Sequence, residues 1–354
     1  ALTYLGTLHQ VEHGLYQSQQ KYFGSIFLVH WLYDVFPVPL PGGYLLMMAT
    51  FVNLFWGAVT RFRFRWSKVG FMMIHIGILI LLAGAFISYA YSTEGRMVLF
   101  EGEAAREFEN PYSWEIGFRE VTGQGARTEH IIHQRDFEGL TDGDAREFTF
   151  LGLPFTLELK NFMPNAAVIT GNDDQDGIVV SRANEKEYLQ NMAGIQATLK
   201  SNVTDESAKA TVWAGTPTPT TLALRGRTWN IVLRRERIQL PFTIRLEKFV
   251  HKTHPGTNMP SEFSSEITKI EDGVSQQFKI TLNEPFRHGD YTFYQSSWGQ
   301  QGEGLNTRLY SVLSVMKNPA DQVPLYACVI TTLGLILHYA RKLALYLKKE
   351  RAQS

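Results

Sequence analysis

The side chain best placed to do chemistry is His75, set in the apolar run FMMIHIGILILL. It follows Lys68 by seven residues, so a helix rising 1.5 Å per residue carries it about 10 Å into that run. An ionisable group at such depth is expensive to keep in hydrocarbon and marks a functional site by default. Imidazole suits haem iron; it also serves as a hydrogen-bonding partner for a neighbouring helix. The residues alone leave both readings open. Around it Gly70, Gly77 and Gly84 recur every seven positions, a seam of small residues that lets a second helix come close. His75 lies two residues from Gly77, about 200° around the helix, so it points away from the seam, toward a cavity or a partner subunit. A small, polar stripe of Ala327, Thr331, Gly334 and His338 runs along a later apolar segment at spacings of four, three and four. His338 stands just before Arg341 and reads first as an interfacial side chain, with iron ligation its second reading. Asn53, in a third apolar segment, reads as a hydrogen-bonding contact between helices.

The other histidines give weaker signals. His9 and His13, four apart, could share a helical face, and with His30 they read as structural. Phe27, Trp31, Tyr33 and Phe36 predict a helix lying at headgroup level beside them. His130 and His133, like His251 and His254, are three apart; either pair could hold a metal on a helix, yet neither has a third placed ligand, so both read as surface histidines. The single cysteine, Cys328, excludes an internal disulfide, a CxxC redox pair and a multi-cysteine zinc site. No GxSxG, HExxH, P-loop or GxGxxG motif stands in a fitting context.

Three long, nearly uncharged segments must position these residues: 43–60, 69–91 and 323–340. About 20 apolar residues cross the hydrocarbon core of a bilayer. Arg61, Arg63, Arg65 and Lys68 separate the first two, and Arg341, Lys342, Lys348, Lys349 and Arg351 follow the third. Basic flanks stay in the cytoplasm, which puts residues 93–322 outside. Residues 1–8, ALTYLGTL, read as the last two turns of an apolar helix, so a truncated first span is expected, making four in the complete protein. The 34 basic and 34 acidic residues cancel, against a nucleic-acid-binding role, and 13% aromatic residues exclude a largely disordered chain.

Residues 93–322 alternate apolar and polar side chains in runs such as 147–162, 228–233, 240–250, 277–282 and 291–295. That period marks half-buried strands, with turns expected at 172–177 and 254–260 and a helical interruption around 185–199. Leu153–Phe162 and Leu240–Phe249 share six of ten residues, each opening on a proline at a strand start; a duplicated half-sandwich and a coincidence of strand patterning both remain open. The expected fold is a multi-pass membrane α-helical bundle, three full spans plus the end of a first, with a large extracytoplasmic all-β, sandwich-like domain. The expected domains are 1–92, 93–322 and 323–354.

Four blocks carry a resemblance to a known family: LGTLHQVEHGLYQSQQKYFGSIF; the span with Asn53 and Leu54 leading through arginines into GFMMIHIGILILLAGA; ITLNEPFRHGDYTFYQSSW; and SVMKNPADQVPLY before the last apolar segment. Together they resemble the ResB (CcsB) family of System II cytochrome c biogenesis proteins, across nearly the whole chain. The resemblance implies a multi-pass protein of the bacterial inner membrane whose large domain is periplasmic. It implies haem b as transported or transiently bound cofactor, a CcsA (ResC)-type membrane partner, apocytochrome c as client, and thiol-reducing proteins as further partners. By the family pattern His75 matches the transmembrane histidine that gives haem one axial ligand, the partner giving the other. Phe55, Trp56 and Gly57 stand where family members often carry a cysteine, so a thiol role is not carried over. The tryptophan-rich haem-handling motif belongs to the partner, so the resemblance implies one part of a holocytochrome c synthase and not an enzyme alone. Two other classes stay in view: a membrane-anchored extracytoplasmic scaffold, and an electron-transfer subunit with haem between His75 and His338.

Overall fold

The computed structural model describes residues 2–32, 35–61, 65–121, 128–141, 143–169, 178–253, 260–302 and 308–352. Tyr33, Arg63, His254 and the turn segments 172–177 and 254–259 lie outside the described residues. The chain divides into two compact units: residues 1–94, 286–293 and 316–354, and residues 95–285 with 294–315.

The first unit begins with helices α1 (Leu2–His13) and α2 (Leu15–Tyr22), then strands β1 (Phe27–Leu32) and β2 (Phe36–Pro41), then the long helices α3 (Gly43–Arg61) and α4 (Val69–Tyr91). The interfacial helix expected over Phe27–Phe36 is instead this β1–β2 hairpin. The reason lies in Pro37, Pro39 and Pro41, which pair with Trp31, Val29 and Phe27. Three prolines at every second position cannot be helical, but on one strand of an isolated pair their missing N–H groups all fall on one edge. Helix α5 (Val323–Arg351) closes the chain. The helical stretches of α3, of α4 with its lead-in from Trp66, and of α5 are long and apolar enough to cross a membrane. Their apolar surface is largely uncovered by the rest of the chain: Phe55, Trp56, Ile76, Leu81, Leu333 and Ile336 are all exposed. Surface of that kind needs lipid or another protein against it.

The second unit is made of strands: β3 (Thr93–Phe100), β4 (Ala104–Glu120), β5 (His130–His133), β6 (Ala145–Thr149), β7 (Phe155–Met163), β8 (Ala166–Ile169), β9 (Ile178–Ser181), β10 (Gly194–Ser201), β11 (Ser207–Trp213), β12 (Thr220–Leu224), β13 (Arg227–Thr253), β14 (Pro260–Glu271) and β15 (Val274–Thr281), followed by β16 (Phe286–His288), β17 (Tyr291–Gln301) and β18 (Arg308–Lys317). β3, β17 and β18 run from one unit into the other, and the β16 pairing with the start of β17 belongs to the first. A four-stranded sheet runs β11-β10-β7-β6, and the larger sheet runs β15-β14-β13-β4-β3-β18-β17, with β12 on β13 and β5 on β4. Strand β13 pairs antiparallel with both β4 and β14.

The expectation of a multi-pass α-helical bundle is corrected here: among the described residues strands hold more of the chain than helices, and sheets organise the fold. Nor is the β part a plain two-layer sandwich. Strand β13 carries register shifts between Arg235 and Glu236 and between Gln239 and Ile244, and such bulges bend a strand and increase its twist. The sheet curls as a result. β14 and β17 are separated by four strands in the sheet order, yet Ser265 Oγ donates to Gln295 Oε1 at 2.6 Å. Where the smaller sheet lies against the larger, Trp114, Phe118, Phe155, Leu157, Ile195, Leu199, Trp229 and Ile231 form one buried core. The helix expected around residues 185–199 is only a short turn, Tyr188–Gln190, followed by β10. Ile195, Ala197 and Leu199 alternate into the core, which fixes a period of two there. The repeated decapeptide buries the same positions in both copies, Phe155, Leu157 and Leu159 on β7 and Phe242, Ile244 and Leu246 on β13, but the copies lie in different sheets.

Candidate functional site

The glycine seam of α4 and the small-residue stripe of α5 meet. Gly70, Gly77 and Gly84 are the buried residues of α4, and Ala327 and Gly334 those of α5. A Cβ at Gly70 would stand 2.6 Å from the His338 nitrogen and 2.7 Å from the Gly334 oxygen; one at Gly334 would stand 2.8 Å from the Gly70 oxygen. Backbone therefore touches backbone where Gly70 meets Gly334, and again where a Cβ at Gly77 would stand 2.9 Å from the Ala327 oxygen, a close approach only glycine permits. Thr331 Oγ1 donates to Ala327 O at 2.8 Å, so its hydroxyl is satisfied within α5.

His75 lies off that seam and is half-buried. Its Nδ1 stands 3.0 Å from the carbonyl oxygen of Phe71, one turn back. A carbonyl only accepts, so in the neutral ring Nδ1 carries the proton and Nε2 the lone pair. A backbone carbonyl on the second ring nitrogen is the usual way a metal-binding histidine has its tautomer and ring orientation fixed. The Phe71 ring lies against His75 with centroids 4.3 Å apart, and 6.2 Å from the ring of His338. Both candidate histidines thus adjoin the same phenyl ring, His338 from within the α4–α5 contact.

Sequence reasoning gave His9, His13 and His30 a structural part and did not single out the residues that gather them. The buried Tyr22 and Ser18 do so. Ser18 Oγ donates its one proton to Gly14 O at 2.8 Å, so it accepts from His9 Nδ1 at 2.8 Å. The rings of His9 and His13 stack at 4.0 Å, and Tyr22 Oη is hydrogen-bonded to His30 Nδ1 at 3.1 Å. The spacing of His9, His13 and Tyr22 in LHQVEHGLYQSQQKY was the available signal, but the break at Gly14 between α1 and α2 hid it. Burial, then the neighbouring His13 and Lys21, lower the pKa of His9 below its ordinary 6.5, against a smaller opposing effect of Glu12. The unfolded chain then binds protons more readily than the folded one, so stability is full above about 6.5 and falls as pH drops below that value toward the lowered one. A thermal-melt series from pH 7.5 to 5 should show this decline, and His9→Gln should flatten the part of the slope due to this group. An unchanged slope in that variant would mean His9 stays protonated in both states or in neither.

Among the described residues, the histidines of the strand-rich unit lie apart from one another and assemble no metal site. His130 and His133 lie on the strand β5, where residues three apart point to opposite faces. His130 stacks on Phe118 at 5.1 Å, and His133 Nδ1 is 3.0 Å from Glu236 Oε1. His251 stacks on Phe263 at 5.0 Å and lies tilted against Trp298 at 4.7 Å. Among the described residues no group of three or more His, Cys, Asp or Glu side chains is arranged to hold a metal.

In the same unit, Arg234 forms the most buried charge cluster among the described ion pairs. Its Nε donates to Glu115 Oε1, and Nη1 and Nη2 donate to the two oxygens of Glu129, all at 2.8 Å. Burial works to lower the Arg234 pKa, and the hydrogen bonds to Glu129 and Glu115 outweigh it and raise it. The bond from Arg234 lowers that of Glu129 against the opposing effect of burial. Arg235, beside it, lies over the Trp114 ring at 3.7 Å.

Comparison with known proteins bears on the same region. Residues 209–310, from β11 to the start of β18, match the model of the ResB-like family. Over 268 residues the chain is 24% identical to Protein NrfI of Wolinella succinogenes, an alignment that takes in 75% of this chain and 26% of that protein. The chain spans about a quarter of that relative's length. The resemblance read from the sequence is supported: residues 209–310, which include the block ITLNEPFRHGDYTFYQSSW, are similar to the ResB-like family.

Proposed function

We propose that the chain is a membrane subunit of the cytochrome c biogenesis machinery that handles haem as cargo, with His75 Nε2 as one axial ligand to its iron. The single observation carrying this reading is the hydrogen bond from His75 Nδ1 to Phe71 O, which leaves the lone pair on the nitrogen that a haem iron needs. The half-buried position of His75, off the glycine seam, suits an iron shared with a second protein, which would give the other ligand. A CcsA (ResC)-type membrane protein fits that part, with apocytochrome c as the client and thiol-reducing proteins keeping its cysteines available. The basic residues Arg65, Lys68, Arg341 and Lys342 favour the cytoplasmic side for their end of α4 and α5, and the strand-rich unit then faces outward, to the periplasm in a bacterium with an outer membrane. His338 is given the packing role its place between the helices suggests.

Similarity to the ResB-like family and to NrfI supports the biogenesis role. The reading is tested by complementation: in a strain lacking the chain, His75→Ala should abolish covalent haem in c-type cytochromes while His338→Ala lowers it by less than half. Equal maturation by wild type and His75→Ala, at equal protein levels, would remove the ligand role and leave the anchored scaffold.

A further inference from the structure

At the basic end of α4 and α5 a cavity of about 300 Å³ is walled by Trp66, Ser67, Val69, Leu337, His338 and Arg341. Its composition is divided. Val69 and Leu337 give an apolar floor, Trp66 is 83% exposed at the rim, and Ser67, His338 and Arg341 bring polar groups to the same space. Tryptophan at a rim beside basic residues is the usual composition of a membrane–water boundary. Among the described residues no carboxylate pairs with Arg341. The single acidic side chain of α5, Glu350, accepts instead from Tyr346 Oη at 3.0 Å. Arg65, Lys68 and Lys342 add positive charge nearby in the chain, with no acidic residue between 61 and 68. A positive, partly apolar recess calls for an amphiphile with an anionic head.

We infer that this recess holds the phosphodiester head of an anionic phospholipid. Arg341 donates to its phosphate oxygens, Ser67 and His338 complete the polar contacts, and the acyl chains run down past Leu337 and Val69. Arginine is well matched to phosphate oxygens because its planar fork donates two parallel hydrogen bonds, and each basic residue near an anionic surface adds attraction that salt weakens. The recess is too divided in character for a free inorganic anion, which would leave its apolar floor unused. The inference rests on α4 and α5 being membrane-embedded, but not on haem.

The test is lipid retention by the full chain, purified in detergent, exchanged into a zwitterionic phosphatidylcholine background and titrated with phosphatidylglycerol. Bound lipid is counted by native mass spectrometry. Wild type should retain one phosphatidylglycerol. Arg341→Gln should weaken it by about tenfold, and Leu337→Trp, which fills the floor and keeps every charge, should weaken it as much. Lys349→Gln, an equal loss of charge beyond the recess, should change retention less than twofold. Equal weakening by Lys349→Gln would reduce the effect to general surface charge and overturn the inference. So would full retention in Arg341→Gln, or displacement of the lipid by inorganic phosphate at constant ionic strength. A haem spectrum recorded on the same Arg341→Gln sample keeps the two readings apart: haem retained without lipid discrimination defeats this inference alone.

Discussion

Gly77→Leu should separate α4 from α5 and leave little folded protein. A Cβ at Gly77 would stand 2.9 Å from the Ala327 oxygen and 3.1 Å from the Thr331 nitrogen, and would overlap Thr331 Oγ1. The first two neighbours are backbone and cannot rotate aside, so the helices must move apart. Overpacking a core costs about 1–3 kcal/mol where side chains can shift, and a backbone collision belongs at or above the top of that range. Gly57→Leu on α3 is the matched control, since nothing lies within 4 Å of a Cβ there. Thermal melts in detergent, followed by size-exclusion recovery, should show Gly77→Leu lost or strongly lowered and Gly57→Leu close to wild type. Equal melting of the two variants would mean that α4 and α5 do not touch along this seam.

The second large effect is expected at Arg234. Glu115 is fully buried, and it sits opposite Arg234 in the β4–β13 register. Among the described residues its Oε2 has no hydrogen-bond donor, so Arg234 alone compensates its charge. Arg234→Met leaves that carboxylate stranded, and breaking a buried pair from one side costs about 3–5 kcal/mol. For a body of this size that is roughly 10 °C in Tm. Adding Glu115→Leu to the same variant removes the stranded charge and should recover most of the loss. A double variant no more stable than Arg234→Met would show that the guanidinium contributes by packing and not by charge. Glu129, whose pKa is lowered first by its bond from Arg234, adds a pH signature. Its contribution is full above its ordinary value of 4.5 and falls away as pH drops through the lowered one; Arg234→Met should abolish that decline.

The two faces that meet between α4 and α5 were each legible because helical spacing leaves a mark in sequence, while their pairing came from the structure. Gly70, Gly77 and Gly84 at one interval, and Ala327, Thr331, Gly334 and His338 at another, each describe a single face, and two small-residue faces in one chain suit each other. The strands around Phe155 and Phe242 were legible for the same reason at a period of two. The curl of the larger sheet was not. It depends on bulges within β13 and on Ser265, Gln295 and Ser311 meeting across the interior, and nothing local in those residues names their partners. Phe27–Phe36 read as a helix because an aromatic run has no period of its own; the alternating prolines after it held the correct answer. The gathering of His9, His13 and His30 around Tyr22 needed the turn at Gly14, whose φ of 81° is a conformation glycine adopts readily.

The proton position of His75 could not be read from its neighbours in sequence, yet the functional reading turns on it. The most direct measurement is an absorption spectrum of His75→Gly, co-purified with the CcsA (ResC)-type protein proposed above as its partner, before and after imidazole is added. A glycine leaves room where the side chain stood, so free imidazole can take up the vacated coordination position. The account predicts a haem Soret band in wild type, its loss or shift in His75→Gly, and its return with imidazole. A wild-type spectrum kept unchanged by His75→Gly, with no response to imidazole, would contradict it.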